Sequence, residues 1–396
     1  MQRNAMNDKL ILIVNPGSSS RKYALYEQGE ILADLHFETK DTAIICNCKT
    51  NYCEEVFVGR VDSLSQTSVV VEDLLREVDA LKDGQQIDAI AIRIVAPSNY
   101  FRHNQLVNDD LIKELQNVKD KAPLHVSVAL DELKVLKSQF TAPIYAISDS
   151  AFHSLKPLKA ELYAIDRDLA DRFEIKRFGY HGLSVGSISH LMQSNNLKYG
   201  KTIVCHLGSD CSVSALKDGV SIDNSMGYTP LEGVAMATRS GNIDFSAGVA
   251  IKNALGISFE ETEEYLNKNS GLLALSGVSG DLREVIKLAE NGYSRAIEAL
   301  DVYIYKIQQE IGKMAAALNG IDSIVFTATI GERSYYLRRR ILANLNYLGL
   351  SLDEQKNEEG ITSGKFQDIS AVGSKPIYII KADESSEIIR QVLELI

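Results

Sequence analysis

The residues best suited to chemistry in this chain are one arginine in an irregular stretch, two glycine-serine turns and two polar strand ends. The stretch Asp223–Asp244, DNSMGYTPLEGVAMATRSGNID, has neither a helical period nor strand alternation. Three glycines and a proline stand among hydroxyl residues, and its single arginine, Arg239, lies between Thr238 and Ser240. A loop this long in a compact domain is functional or disordered, and Met226, Tyr228, Leu231, Val234 and Met236 are apolar enough to tie it down. An ordered loop presenting one guanidinium suits a phosphate or a carboxylate, which arginine grips bidentately. A structural loop whose arginine caps a helix is the alternative.

The two turns sit in similar surroundings. A strand at Lys9–Val14 leads into Asn15-Pro16-Gly17-Ser18-Ser19-Ser20, then a strand Arg21–Tyr26, the turn Gln28-Gly29 and a strand Glu30–His36. Farther on, Thr202–Leu207 leads into Gly208-Ser209-Asp210, a strand Cys211–Leu216, the turn Asp218-Gly219 and Val220–Asp223. Gly17 aligns with Gly208 and Leu25 with Leu216 at one offset, and Gly29 with Gly219 after a one-residue gap. Either the likeness is chance or the chain holds a duplicated domain. In the second case both tips face one cleft and offer backbone N–H groups that cradle phosphate oxygens. The pattern is strand–turn–strand without Walker spacing, so it is not a P-loop.

The positioning elements alternate as in an α/β fold. Ile87–Val95 is a strand ending in Arg93-Ile94-Val95 before the Ala96-Pro97-Ser98 break, and Pro143–Ser148 is a strand ending at Asp149. Polar groups at carboxyl ends of strands are where such folds place ligands. Helices are expected at 68–81, 108–118 with Asn108 as N-cap, 184–193, 245–255, 258–267 and 294–318, with strands at 324–327 and 376–380 and a closing helix 384–396. The apolar seam Ile297, Leu300, Ile304, Ile307, Ile311, Met314 and Leu318 is core or a subunit interface.

At 396 residues two domains are the natural division. A net charge of −11 without a long basic run argues against nucleic acid, so an anionic substrate needs a local arginine cluster. No apolar run reaches membrane length and the start MQRNAMNDK lacks a signal-peptide core, which together read as a cytoplasmic protein without a membrane partner. Five cysteines do not make a disulfide scaffold. Cys46, Cys48 and Cys53 are close enough to invite a metal reading, yet their spacing matches no zinc pattern; Cys205 and Cys211 read as packing residues.

Several segments recur together: NPGSSSRKYAL near the start, APLH at Ala122–His125, DSAFH at Asp149–His153, RFGYHGLS at Arg177–Ser184 and HLG at His206–Gly208. SMGYTPLEG and TRSG follow in the irregular loop, then SGLLALSGVSGDLR at Ser270–Arg283 and IGE at Ile330–Glu332. In this order, and over nearly the whole length, the chain resembles the acetate kinase family of the actin-like and sugar kinase superfamily. The resemblance implies two duplicated actin-like (ribonuclease H-like) α/β domains around a central cleft. One would span 1–149, completed by the helix 384–396; the other, 150–383, would carry the nucleotide and the homodimer contact. It implies Mg²⁺-dependent transfer of the ATP γ-phosphoryl group to acetate, giving acetyl phosphate. Arg93, Asp149, His181 and Arg239 match the catalytic set, and Arg93 with Val95, Leu124, Tyr180 and Pro230 match the carboxylate pocket. Ser18, Ser20, Lys22, His206, Gly208, Ser209, Asp210, Ile330 and Gly331 match nucleotide-binding positions. Asn15 and Glu384 match positions tied to Mg²⁺, a hard cation that takes few protein ligands.

The chain departs from the family pattern mainly at the nucleotide end. The usual GHRVVHGG around the first arginine is here Ala91-Ile92-Arg93-Ile94-Val95-Ala96-Pro97-Ser98. Ser209-Asp210 stand where the family has Asn-Gly. A carboxylate about 6 Å from a phosphate costs roughly 3 kcal/mol at an effective dielectric near 20, so Asp210 is expected to point away, or the polyphosphate to sit differently. Ala328-Thr329 replace Gly-Gly or Ala-Gly, Arg333 an asparagine and Asn242 an aspartate. Beside the leading reading stand a related short-chain carboxylate kinase, a kinase with another donor, GTP or pyrophosphate, and a catalytically weak paralogue that binds nucleotide or acyl phosphate.

Overall fold

The computed structural model describes residues 9–17, 20–40 and 42–396. The chain divides into two compact units, Met1–Ala151 with Asp383–Ile396, and Phe152–Ala382.

The first unit is built on an eight-stranded sheet of order β5-β4-β3-β2-β1-β6-β8-β7. Its strands are β1 (Ile11–Pro16), β2 (Ser20–Glu27), β3 (Glu30–Lys40), β4 (Ala43–Thr50), β5 (Glu54–Val58), β6 (Ala89–Ile94), β7 (Gln105–Leu106) and β8 (Ile144–Ser148). β1 runs antiparallel to β2 and parallel to β6, which is parallel to β8. Ile11 to Val14 are all buried, the unbroken apolar run of a strand covered on both faces. Helices Thr67–Glu77, Pro123–Gln139 and Glu384–Leu393 pack against the sheet. The first ends four residues before the expected Leu81, because the chain turns out at Val78 and Asp79 takes a left-handed φ of 57°. The helix Pro123–Gln139 and the strands β4 and β5 are not legible in the local sequence. In β4 Ile44, Cys46 and Cys48 alternate inward, so two of the three clustered cysteines are apolar core residues. Among the described residues no three His, Cys, Asp or Glu side chains gather as a metal cage.

The second unit has a six-stranded sheet of order β11-β10-β9-β12-β14-β13. Its strands are β9 (Lys201–Leu207), β10 (Cys211–Lys217), β11 (Val220–Asn224), β12 (Ser323–Thr327), β13 (Phe366–Asp368) and β14 (Ile377–Ile380). The helix Ser294–Leu318 packs on β9, β10 and β11 and buries six of the seven seam residues; Ile297 is exposed. The helix Gly182–Ser194 contributes Val185, Ile188 and Met192 to a separate cluster with Val204, Val325 and Ile380. Among the described residues no helix is long and apolar enough to cross a membrane.

The two sheets share one plan. The run β3-β2-β1-β6-β8 and the run β11-β10-β9-β12-β14 each hold three antiparallel strands followed by two parallel ones. Both hairpins turn through two residues of positive φ, Gln28-Gly29 (52°, 93°) and Asp218-Gly219 (51°, 82°), as a type I′ turn requires. Both then shift register three residues past the glycine, at Leu32 and Ile222. Counting back from the turns pairs Tyr26, not Leu25, with Leu216. The extra residue of the first copy therefore lies in its tip, between Pro16 and Arg21, rather than in the second strand.

Candidate active site

Three adjacent parallel strands of the first unit end together, and each delivers one polar residue. The register sets Val14 beside Ile92 and Ile94 beside Ser148, so Asn15, Arg93 and Asp149 emerge side by side. The Asp149 N–H donates to the Ile94 carbonyl at 2.9 Å, fixing the point where the chain leaves β8. Glu384 joins them from the first turn of the C-terminal helix, whose N-cap Asp383 accepts from the Ser386 N–H. Arg93 lies 3.1 Å from Asp149 Oδ2, donates to Asn15 Oδ1 at 3.2 Å and stands 3.9 Å from Glu384 Oε2. Asn15 in turn donates to Glu384 Oε2 at 3.2 Å. The Asp149 side chain is 1 % exposed and that of Arg93 19 %. A carboxylate this buried is tolerated because the guanidinium compensates its lost hydration, and the pairing holds the arginine in one orientation.

The oxygens of Asn15, Asp149 and Glu384 are hard donors with no histidine or cysteine among them. One or two carboxylates with an amide oxygen suit Mg²⁺, which keeps several waters and takes its other ligands from substrate phosphates. Lys22 lies opposite Asn15 across the hairpin and is exposed, with Ser20 half-buried two residues earlier. Ser18 lies outside the described residues. Val95 follows β6 half-buried; Leu124 is in the first turn of the helix Pro123–Gln139, its side chain outside what the structure describes.

The second unit gathers a different set. His181 precedes the helix Gly182–Ser194 with φ 60°, a left-handed conformation that costs a non-glycine residue about 1–2 kcal/mol. Its Nδ1 pairs with Ser212 Oγ at 3.0 Å, and its ring stacks on His206 with centroids 4.1 Å apart. His206 Nδ1 pairs with Ser184 Oγ at 2.8 Å. Ser212 is the strand partner of His206 in the hairpin, so one hairpin rung and one helix start fix both imidazoles.

The irregular loop is ordered by burial of Met226, Val234 and Met236 and by polar anchors. Asn224 donates to Ser214 Oγ and to the Tyr180 carbonyl; the Tyr180 hydroxyl donates to the Tyr228 carbonyl at 2.7 Å. Arg177 and Tyr163 both bond Glu232, and Arg177 also donates to the Asn224 carbonyl. Tyr180 and Pro230 are thus buried in the base of this loop. Arg239 near its end is 8 % exposed and stands 3.0 Å from Asp210 Oδ2. Asp210, expected to point away from a bound phosphate unless the polyphosphate sits differently, turns its carboxylate toward Arg239, because a buried guanidinium attracts the nearest carboxylate.

Beside this pair lies a cavity of about 710 Å³, within the usual range for a small-molecule site. Gly208 and Ser209 line it, with Ala237 and Thr238 from the loop, Thr329 and Ile330 after β12, and Asp281, Arg283, Tyr335 and Tyr336 from farther on. Thr329 does not fill it. A Cβ on Gly208 would lie 4.0 Å from His206 Nε2 and 3.7 Å from Ala328 Cβ, and Ala328 has φ 63°. Gly331 sits beneath the lining residues, near the backbone ends of β12 and β9. Arg338, fully buried, donates to the Gly331 and Glu332 carbonyls and so clamps the helix Ala328–Arg333 from behind.

Ser212, Ser184, Glu232, Arg338 and the two tyrosines are not picked out by the sequence reading. The serines are too common to carry a signal, Glu232 takes its partners Tyr163 and Arg177 from far along the chain, and Arg338 joins nearby Gly331 and Glu332 to distant Asn357.

A two-unit α/β architecture with duplicated sheets, an arginine–carboxylate cluster in one unit and a nucleotide-sized cavity in the other defines a phosphotransferase of the actin-like class. Residues 10–390 match the model of the acetokinase family, and the chain belongs to that family. An acetate kinase of Acetivibrio thermocellus is 33 % identical over 407 residues, covering 98 % of this chain and 99 % of that one. The crystal structure of a propionate kinase from Francisella tularensis superposes with a TM-score of 0.88 at 32 % identity, covering 97 % of this chain and 98 % of that one. That of Porphyromonas gingivalis acetate kinase gives 0.85 at 29 %, covering 98 % and 99 %.

Proposed function

We propose that this protein is an acetate kinase that moves the γ-phosphoryl group of ATP reversibly to acetate, giving acetyl phosphate and ADP. The observation that carries the reading is Arg93, fixed by the buried Asp149 and beside Asn15 at three strand ends, with Glu384 joining from the C-terminal helix. A fixed guanidinium orients the acetate carboxylate for attack. One acetate oxygen forms a bond to the γ-phosphorus as the bond to the β–γ bridging oxygen breaks, and its electron pair leaves with ADP. A loose transition state spreads charge over the three phosphoryl oxygens, so positioning and charge neutralisation do most of the work. His181, its ring held by Ser212, donates to a phosphoryl oxygen, and Arg239 supplies the second guanidinium. Asp149 is a positioning residue that keeps Arg93 aligned. Asn15 and Glu384 would hold Mg²⁺, which when bound neutralises the phosphate charge.

The cavity favours a nucleotide donor. Pyrophosphate needs no room for a base and sugar, whereas about 710 Å³ lined by Tyr335, Tyr336 and Ile330 accommodates both. Propionate is the second acceptor of this reading, since one methylene is discriminated by only about 1–3 kcal/mol. We further infer a cytoplasmic homodimer that associates through the second unit, where Val302 and Tyr305 are exposed on the long helix; light scattering of the purified protein tests the dimer. The activity is tested by acetyl phosphate formation with Mg²⁺, acetate or propionate, and ATP, GTP or pyrophosphate. Turnover with pyrophosphate but not ATP would overturn the nucleotide donor, and no turnover with any donor would leave a binding protein.

A further inference from the structure

We propose that Asp210 is a specificity-determining residue: its carboxylate occupies Arg239 as a built-in anion and yields the guanidinium only to a phosphoryl oxygen that outcompetes it. The identity of that competing anion rests on the phosphoryl-transfer reading.

Arg239 is a rigid receptor. Its side chain is buried, its carbonyl accepts from the Met236 N–H at 3.0 Å, and the Ala237 N–H donates to the Ser209 carbonyl at 3.1 Å, tying the arginine loop to the Gly208–Asp210 tip. Asp210 is free to leave. Its backbone is held by the Gly208 N–H at 3.0 Å, but its side chain is 43 % exposed, so rotation alone takes the carboxylate into water. The pair stands at the cavity edge, since Ser209, Ala237 and Thr238 line that cavity. A phosphate reaching Arg239 must therefore displace the carboxylate or bind beside it.

Two unit charges about 6 Å apart at an effective dielectric near 20 interact by roughly a hundredfold in an equilibrium constant. Screening at a half-exposed carboxylate reduces this to about tenfold. The consequence is selectivity by charge. Weakly charged oxyanions fail to dislodge Asp210, whereas a polyphosphate end succeeds.

The test is Asp210→Asn, which preserves shape and removes charge, with Asp210→Ser as a second variant should the first misfold. Binding of inorganic phosphate to the full chain is measured by titration calorimetry without acetate or turnover, and KM and kcat for ATP are measured separately. Phosphate binding about tenfold tighter, with a lower KM for ATP and no gain in kcat, is the expected result. A purely structural role predicts the opposite sign. Unchanged or weaker phosphate binding by a folded variant would overturn the proposal. Tighter binding by a chain that makes no acetyl phosphate would sink the acetate kinase reading and leave the role of Asp210 intact.

Discussion

Replacing Arg338 by methionine removes the clamp behind the cavity proposed for the nucleotide without touching the cavity wall. Arg338 is 1 % exposed and makes four hydrogen bonds: to Asn357 Oδ1 and O at 2.7 Å each, to the Gly331 carbonyl at 2.8 Å and to the Glu332 carbonyl at 2.9 Å. Charge-assisted bonds contribute about 1.5–3 kcal/mol each. The simple sum overstates the loss, because methionine refills part of the volume and water reaches some of the abandoned carbonyls. A net destabilisation of about 4 kcal/mol remains, at the upper end for a single substitution. In a unit of about 230 residues, Phe152–Ala382, this lowers the melting temperature by roughly 10 °C. The loss falls on the helix Ala328–Arg333, whose Thr329 and Ile330 line the cavity. At a temperature where the variant is folded, KM for ATP should therefore rise about tenfold while KM for acetate moves less than threefold. Differential scanning calorimetry and initial-rate kinetics read both effects. Arg338→Lys, which keeps the charge but not the planar fork, should fall between the two. A methionine variant that melts within 2 °C of the parent with unchanged KM for ATP would refute the clamp.

Asp149→Asn should lower kcat/KM for acetate by about a hundredfold, since removing the buried partner of Arg93 frees its orientation and leaves its charge poorly compensated; steady-state kinetics check it. Arg239→Ala should lower turnover by several hundredfold, the effect typical of losing about 3–4 kcal/mol from one transition-state donor, with the circular dichroism spectrum unchanged. Ser212→Ala should lower kcat by about tenfold with KM for ATP little altered, because it loosens the His181 ring rather than a binding group; parallel measurement of the two constants separates these outcomes. Burial pushes the Cys46 thiol up to about 12 and that of Cys48 to about 11. At pH 8 their thiolate fractions are then about one in ten thousand and one in a thousand. Iodoacetamide should accordingly modify half-buried Cys53 first, as peptide mass mapping would show, and labelling of the other two should rise with pH toward those values.

The legible parts of this chain are those where chemistry is local. Lys9–Val14 and Thr202–Leu207 read as buried strands because an unbroken apolar run has few other stable fates in water. Gln28-Gly29 and Asp218-Gly219 read as turns because only such residues accept the positive φ of a tight hairpin. Asn108 was expected to cap its helix, and its side chain does accept from the Leu111 N–H. The illegible parts are those where neighbours decide. β4 looks like a cysteine cluster until the sheet shows its alternation, and the helix Pro123–Gln139 buries residues against strands far away in sequence.

The same division holds at the site. Residue chemistry alone pointed to Arg239 in its loop and to the polar strand ends at Arg93 and Asp149; the resemblance to the acetate kinase family added His181 and joined the four into one expected set. Register decided what stands beside them. Asn15 reaches Arg93 because β1 and β6 are parallel neighbours, and Ser212 reaches His181 because it faces His206 across a hairpin. Asp210 is the clearest case. From the sequence it is a charge in the wrong place, and only the fold, by bringing a buried guanidinium to 3.0 Å, gives that charge a partner. Composition and spacing decide which groups a chain owns; electrostatic partners are decided by distance in space, which only tertiary packing supplies.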